Sequence, residues 1–100
     1  MDTYAGLLAE IRAQPAFYLG EPPLLSKLHL LVYGYWLACL NHNIPDTEGD
    51  FDFFKFNDWL RARYPDSLPD QVWAVIIRER FGDETGLFKF FELYDEFTQN

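Results

Sequence analysis

The chain of 100 residues sets 8 Lys and Arg against 16 Asp and Glu, a formal net charge of -8, and is 49% hydrophobic and 19% aromatic. That length suits one domain around one core, and the apolar content excludes an intrinsically disordered chain. The negative charge argues against a nucleic-acid groove or an anionic membrane surface and for a basic partner. Cys39 is the only cysteine, so there is no internal disulfide and no CxxC pair, and stability rests on packing.

Thr3 stands as an N-cap ahead of Tyr4, Leu7, Leu8 and Ile11, which recur at helical spacing, and Pro15 ends this first helix near Gln14. From Pro15 to Pro23, three prolines and Gly20 surround Phe17 and Tyr18, which reads as an ordered loop folded back on the body. A second helix starts at Leu24 or Ser26. Its Leu28, Leu31, Val32, Tyr35, Trp36, Cys39 and Leu40 form a nearly unbroken core stripe. Gly34 inside it costs about 1 kcal/mol relative to alanine, which points to another helix approaching closely there. Asn41 to Asp50 collects Asn, Pro, Asp and Gly and is the clearest loop, acidic at its far end.

The third helix runs from about Phe53 to Tyr64, with Arg61 and Arg63 in its last turn and Pro65 just beyond. The segment VWAVIIRERFG has the β-branched content of a strand. A start at Leu68-Pro69-Asp70, Arg78 and Arg80 in the last turn and Gly82 as C-cap instead predict a helix of about twelve residues. Asp83 then caps a fifth helix from about Glu84 to Phe97, whose apolar residues cover more than a one-sided stripe needs. The expected architecture is all-α, a single domain over residues 1–100 with about five helices in an orthogonal or bundle-like arrangement. No apolar run approaches the roughly 20 residues a bilayer requires. The N-terminal MDTYAGLLAEIRAQ has acids where a signal peptide has bases, so a cytoplasmic location is expected.

Catalytic signals are missing from the sequence. His29 and His42 come with no nucleophile elbow, HExxH or glycine-rich phosphate loop, and Ser26 and Ser67 fall where a cap or turn explains them. Cys39 and His42 are two residues apart, but His29 precedes Cys39 by ten helical residues, about 15 Å, which does not suit zinc. Asp46, Glu48, Asp50 and Asp52 alternate like calcium ligands, but a calcium loop starting at Asp46 needs glycine and glutamate where Phe51 and Asn57 stand. Neither metal nor cofactor is expected.

The same four carboxylates are the first candidates for contact with a basic partner, because no cation lies near them before Lys55 and their mutual repulsion is uncompensated locally. Glu92, Asp95 and Glu96 are weaker candidates; Lys89 alone offsets Glu92 and Glu96. A solvated, solubilising face explains such runs equally well. Among the aromatics, Trp36 and Trp59 are expected in the core. Tyr33, off the main stripe, is the interface candidate, and one of Phe90 or Leu93 is expected outside the core. The alternative to a binding protein is a helical structural or regulatory module that homodimerises through Leu87 to Phe97.

The string Leu8, Ile11, Arg12, Pro15, Phe17, Tyr18, Leu19, Gly20, continued by Leu28, Gly34 and Tyr35, resembles the pattern IRxRPxMYLG…L…GY of small acidic immunity proteins encoded beside bacterial polymorphic toxins. Phe56-Asn57-Asp58-Trp59-Leu60 and Phe90-Phe91-Glu92-Leu93-Tyr94-Asp95-Glu96-Phe97 are similar to the middle and end of that family. Gln14 stands where the pattern has its second basic residue, and Phe17 replaces its methionine. The resemblance covers nearly the whole chain and concerns scaffold rather than catalytic positions. It implies stoichiometric, non-covalent inhibition of a cognate toxin domain, as in contact-dependent growth inhibition. A nuclease, whose own substrate groove is electropositive, would match the acidic surface of such a protein.

Overall fold

Six helices form among residues 3–99, which the computed structural model describes, and no strand occurs among them. They are α1 (Tyr4–Ala13), α2 (Pro15–Leu19), α3 (Leu25–Asn41), α4 (Phe53–Arg63), α5 (Trp73–Phe81) and α6 (Asp83–Thr98). Met1 and Asp2, the start of the N-terminal string, lie outside the described residues, as does Asn100. The chain is all-α, and its radius of gyration of 13.4 Å is that of one compact body of this length. No helix among the described residues is long and apolar enough to cross a membrane.

Three helix starts are held by side chains distant in sequence. The first backbone N–H groups of a helix have no intrahelical acceptor, so each start needs an outside oxygen. At α1, Thr3 Oγ1 accepts from the Gly6 N–H at 2.9 Å, as its sequence position predicts. The Tyr4 and Ala5 N–H groups donate instead to the Asp50 carboxylate at 2.9 and 3.0 Å. At α3 the N-cap is Leu24, which has no side-chain acceptor, and the Asp83 carboxylate takes the Ser26 N–H and hydroxyl, both at 2.7 Å. At α5 the N-cap is Val72, and the buried Asn57 accepts from the Trp73 N–H at 2.8 Å. These bonds join α1 to the loop before α4, α3 to α6, and α5 to α4.

That arrangement corrects the expected start of the fourth helix. Leu68-Pro69-Asp70 lies in a turn, and α5 begins only at Trp73, where Asn57 supplies the acceptor. Asp83 is likewise not the cap of α6: Gly82, at φ 82°, is, and the Asp83 side chain serves α3. The expected loop from Pro15 contains the short helix α2, because proline at a first helical position has a suitable fixed φ and lacks only an N–H with no intrahelical acceptor. Its Tyr18 hydroxyl donates to Glu10 at 2.7 Å, and Leu19 is buried.

Helix α6 packs against α5 and α3 at the centre. A Cβ on Gly86 would lie 3.2 Å from Leu25 Cδ2 and 3.5 Å from Ile77 Cγ2, so glycine permits the approach of three helices here. The close approach expected at Gly34 is absent: a Cβ there would meet nothing within 4 Å. Phe90 and Leu93 are both fully buried, against the expectation that one lies outside, because α6 is covered on several sides. Phe90 meets Phe56 edge-on at 5.7 Å and Trp73 at 5.0 Å. Phe51, from the loop before α4, packs on Tyr94 and Phe97 at 4.8 and 5.6 Å. The aromatic content is thus largely spent on a continuous core of rings, which fixes the acidic loop against α1 and α6.

Candidate protein-binding groove

Helix α3 is the element whose apolar pattern exceeds its cover. Leu25, Leu28 and Val32 are buried in its first half, whereas Leu30, Tyr33, Leu37 and Leu40 form an exposed stripe at i, i+3, i+7 and i+10. Trp36, expected in the core, is 36% exposed, and Leu40 is 54% exposed. Periodicity marked the right face but not the place where the body stops covering it. On the α4 side Phe54 is 72% exposed, and in the loop Ile44 is 55% exposed. Monomeric proteins seldom leave adjoining large apolar residues uncovered without a partner.

Between α3, the loop after it and the start of α4 lies a groove of about 510 Å³. Its floor is aromatic, with Tyr4, Tyr35, Phe51, Phe53 and Trp73, and its lips carry Tyr33, Trp36, Leu40, Ile44 and Phe54. The Tyr33 and Trp36 rings adjoin at 5.8 Å, tilted by 33°. Tyr4 meets Tyr35 and Phe53 edge-on at 5.1 and 5.3 Å, and Phe53 lies on Trp73 at 5.2 Å. Such volume and lining belong to the range in which proteins seat a ligand or an anchoring side chain.

Electrostatically the groove is one-sided. Asp46, Asp50 and Asp52 line it, and no Lys or Arg does. Burial, followed by the neighbouring Cys39, Tyr35, Asp46 and Asp50, pushes the Tyr4 hydroxyl up to about 12. His29, on the groove wall and edge-on to Trp73 at 5.3 Å, is pushed down from its ordinary value, by burial first and then by the charge of Arg78.

The eight residues singled out from sequence divide into distinct environments. Asp46 and Glu48 are exposed and engage in no ion pair or hydrogen bond among the described residues. Asp50 holds three backbone N–H groups, those of Tyr4, Ala5 and, at 2.7 Å, Phe51. Asp52 is the N-cap of α4, accepting from Phe54 and Lys55 N–H at 2.9 and 3.3 Å. On α6, Asp95 takes both Arg12 guanidinium nitrogens at 2.8 and 2.7 Å, a bond that lowers its pKa. Glu96 pairs with Arg63 at 3.1 Å and Glu92 with Lys89 at 3.2 Å. The groove therefore gathers Tyr33 with Asp46, Asp50 and Asp52, while the three α6 acids do not line it. Sequence reasoning passed over Trp36, Leu40, Ile44 and Phe54 as lip residues. For Trp36 and Leu40 the available signal was the length of the α3 stripe, which runs on past the residues that other helices could cover; Ile44 and Phe54 lie outside α3 and had none.

Among the described residues no three His, Cys, Asp or Glu side chains converge as a metal site would require. Comparison of the chain with protein-family models, with curated proteins and with solved structures finds no match. The function must accordingly be argued from the groove.

Proposed function

We propose that this protein is a stoichiometric binding protein that covers a basic surface of a partner, in the manner of a cytoplasmic immunity protein neutralising a cognate toxin domain. The observation that carries the reading is the α3 groove: a large aromatic cleft, uncovered along one lip, lined by carboxylates and, among the described residues, by no Lys or Arg. Apolar lips supply the desolvated anchor that dominates binding energy, and the acids supply steering and register. The resemblance of the Ile11 to Gly20 string to small acidic immunity proteins supports the same reading. Inhibition in this account proceeds by occlusion, without chemistry on the toxin.

The test is co-expression with the product of the adjacent reading frame. The expected result is a complex of one copy each and restored growth where that product alone is toxic. Absence of both complex and rescue overturns the reading. Of the Leu87 to Phe97 face, Phe90 and Leu93 are buried and Phe88 is exposed, so a homodimer would rest on Phe88 there or on the longer exposed α3 stripe. Sedimentation of the isolated protein separates the two: a monomer is expected, and a stable dimer lost on Leu37→Asp favours the homotypic module.

A further inference from the structure

Among the described residues a cation lies over an aromatic ring while paired with a carboxylate four times. Arg12 stands 5.2 Å over Phe91 and pairs with Asp95; Arg63 stands 5.5 Å over Trp59 and pairs with Glu96. Arg80 stands 4.6 Å over Tyr64 and pairs with Asp66; Lys89 stands 5.1 Å over Phe81 and pairs with Glu92. Ring and carboxylate together favour a cation for reasons that add: the ring quadrupole attracts the charge on one side and the carboxylate on the other. The α3 groove assembles the same two components, with the rings of Tyr33 and Trp36 on its lip and Asp46 lining it from the loop, but among the described residues no Lys or Arg lines it.

We propose that the groove seats an arginine of the partner protein, flanked by apolar residues, with its guanidinium between the Trp36 ring and the Asp46 carboxylate and the flanking side chains against Leu40, Ile44 and Phe54. This rests on the binding-protein reading for its partner and deepens it by naming what that partner presents. Arginine suits the site better than lysine, because a planar guanidinium can both lie over an aromatic face and fork to a carboxylate; three of the four internal examples are arginines, and Arg12 meets Asp95 through two nitrogens. Burial first, and then the neighbouring Cys39, Tyr35, Asp46 and Asp50, raise the pKa of Tyr4 on the groove floor. A second copy of this chain fits less well. Among the described residues only Lys27, Lys55 and Arg78 have no carboxylate partner, and two chains of net charge -8 repel.

The experiment titrates ¹⁵N-labelled protein with the peptide Ac-Leu-Leu-Arg-Leu-Phe-NH2 and its citrulline counterpart, which keeps the shape and loses the charge. Expected are shifts centred on the Trp36 indole N–H and residues 44–54, with the citrulline peptide bound about tenfold more weakly or worse. Asp46→Asn should remove most of that difference; its side chain makes no bond among the described residues, so the variant is expected to keep the fold. Equal binding of the two peptides, shifts centred elsewhere, or no shift up to about 10 mM overturns the inference. A complex with the neighbouring product that Trp36→Ala and Asp46→Asn leave at full affinity overturns it too, with the binding-protein reading standing. Peptide binding without any such complex has the opposite meaning: the arginine site stands and that reading falls. A dimer of this chain dispersed by Trp36→Ala overturns the choice of occupant.

Discussion

Asp50→Ala and Asp46→Ala remove the same charge from the same acidic loop and should differ sharply in stability. Asp50 accepts from the Tyr4, Ala5 and Phe51 N–H groups, all part-buried, whereas the exposed Asp46 accepts from none among the described residues. Losing one N-cap acceptor costs about 0.5–2 kcal/mol, and a further unmet backbone N–H adds about 1 kcal/mol. The expected loss for Asp50→Ala is therefore about 2–3 kcal/mol, with the favourable interaction of a carboxylate and the α1 N-terminus included. For a domain of this size that is a fall in Tm of roughly 10–20 °C, while Asp46→Ala should stay within about 0.5 kcal/mol of wild type. Thermal unfolding followed by far-ultraviolet circular dichroism at pH 7 reads both. Asp50→Asn keeps one acceptor oxygen and should fall between them. If the two alanine variants melted within about 2 °C of each other, the distinction between a structural and an available carboxylate would be refuted.

Further outcomes follow from the same contacts. Asn57→Ala leaves the buried Trp73 N–H without an acceptor and should cost about 1–3 kcal/mol in urea unfolding, despite removing only a small side chain. Gly34→Ala, in an exposed helix interior with open space around the new Cβ, should gain about 0.5–1 kcal/mol, and a loss would mean that α3 is not regular there. His29 has its folded pKa below the ordinary value of 6.5, so between the two values the unfolded chain binds more protons. Its contribution is fully present above the unfolded pKa and is lost as pH falls through that window. Urea midpoints measured from pH 7.5 downward should decline there, and His29→Gln should flatten the decline; an unchanged slope would assign it to other groups.

Hydrophobic periodicity made five of the six helices legible, because each buries a face of its own; their ends agree to within a residue or two except at α5. What escaped was set by residues far apart in the chain. The start of α5 depends on Asn57, sixteen positions earlier, and no local cap marks it. Asp50, 46 positions from Tyr4, looked like one more acid in a solvated run until the fold brought the α1 N-terminus to it. Asp95 is 83 positions from the Arg12 that neutralises it. Gly34 and Gly86 are indistinguishable locally, and only helix placement shows that the second is crowded and the first open. The groove was half legible. Tyr33 and the Asp46 to Asp52 run were visible as an off-stripe aromatic and an uncompensated charge cluster, but Trp36 fits the apolar stripe perfectly and is left uncovered by the length of α3.

In the proposed complex, α3 and the loop after it form the face that meets a basic partner. Hydrogen–deuterium exchange of the protein alone and in complex with the product of the adjacent reading frame tests this most directly. Slowed exchange confined to residues 30–54 is the predicted footprint. Slowed exchange over α5 and α6, with residues 30–54 unchanged, would contradict it.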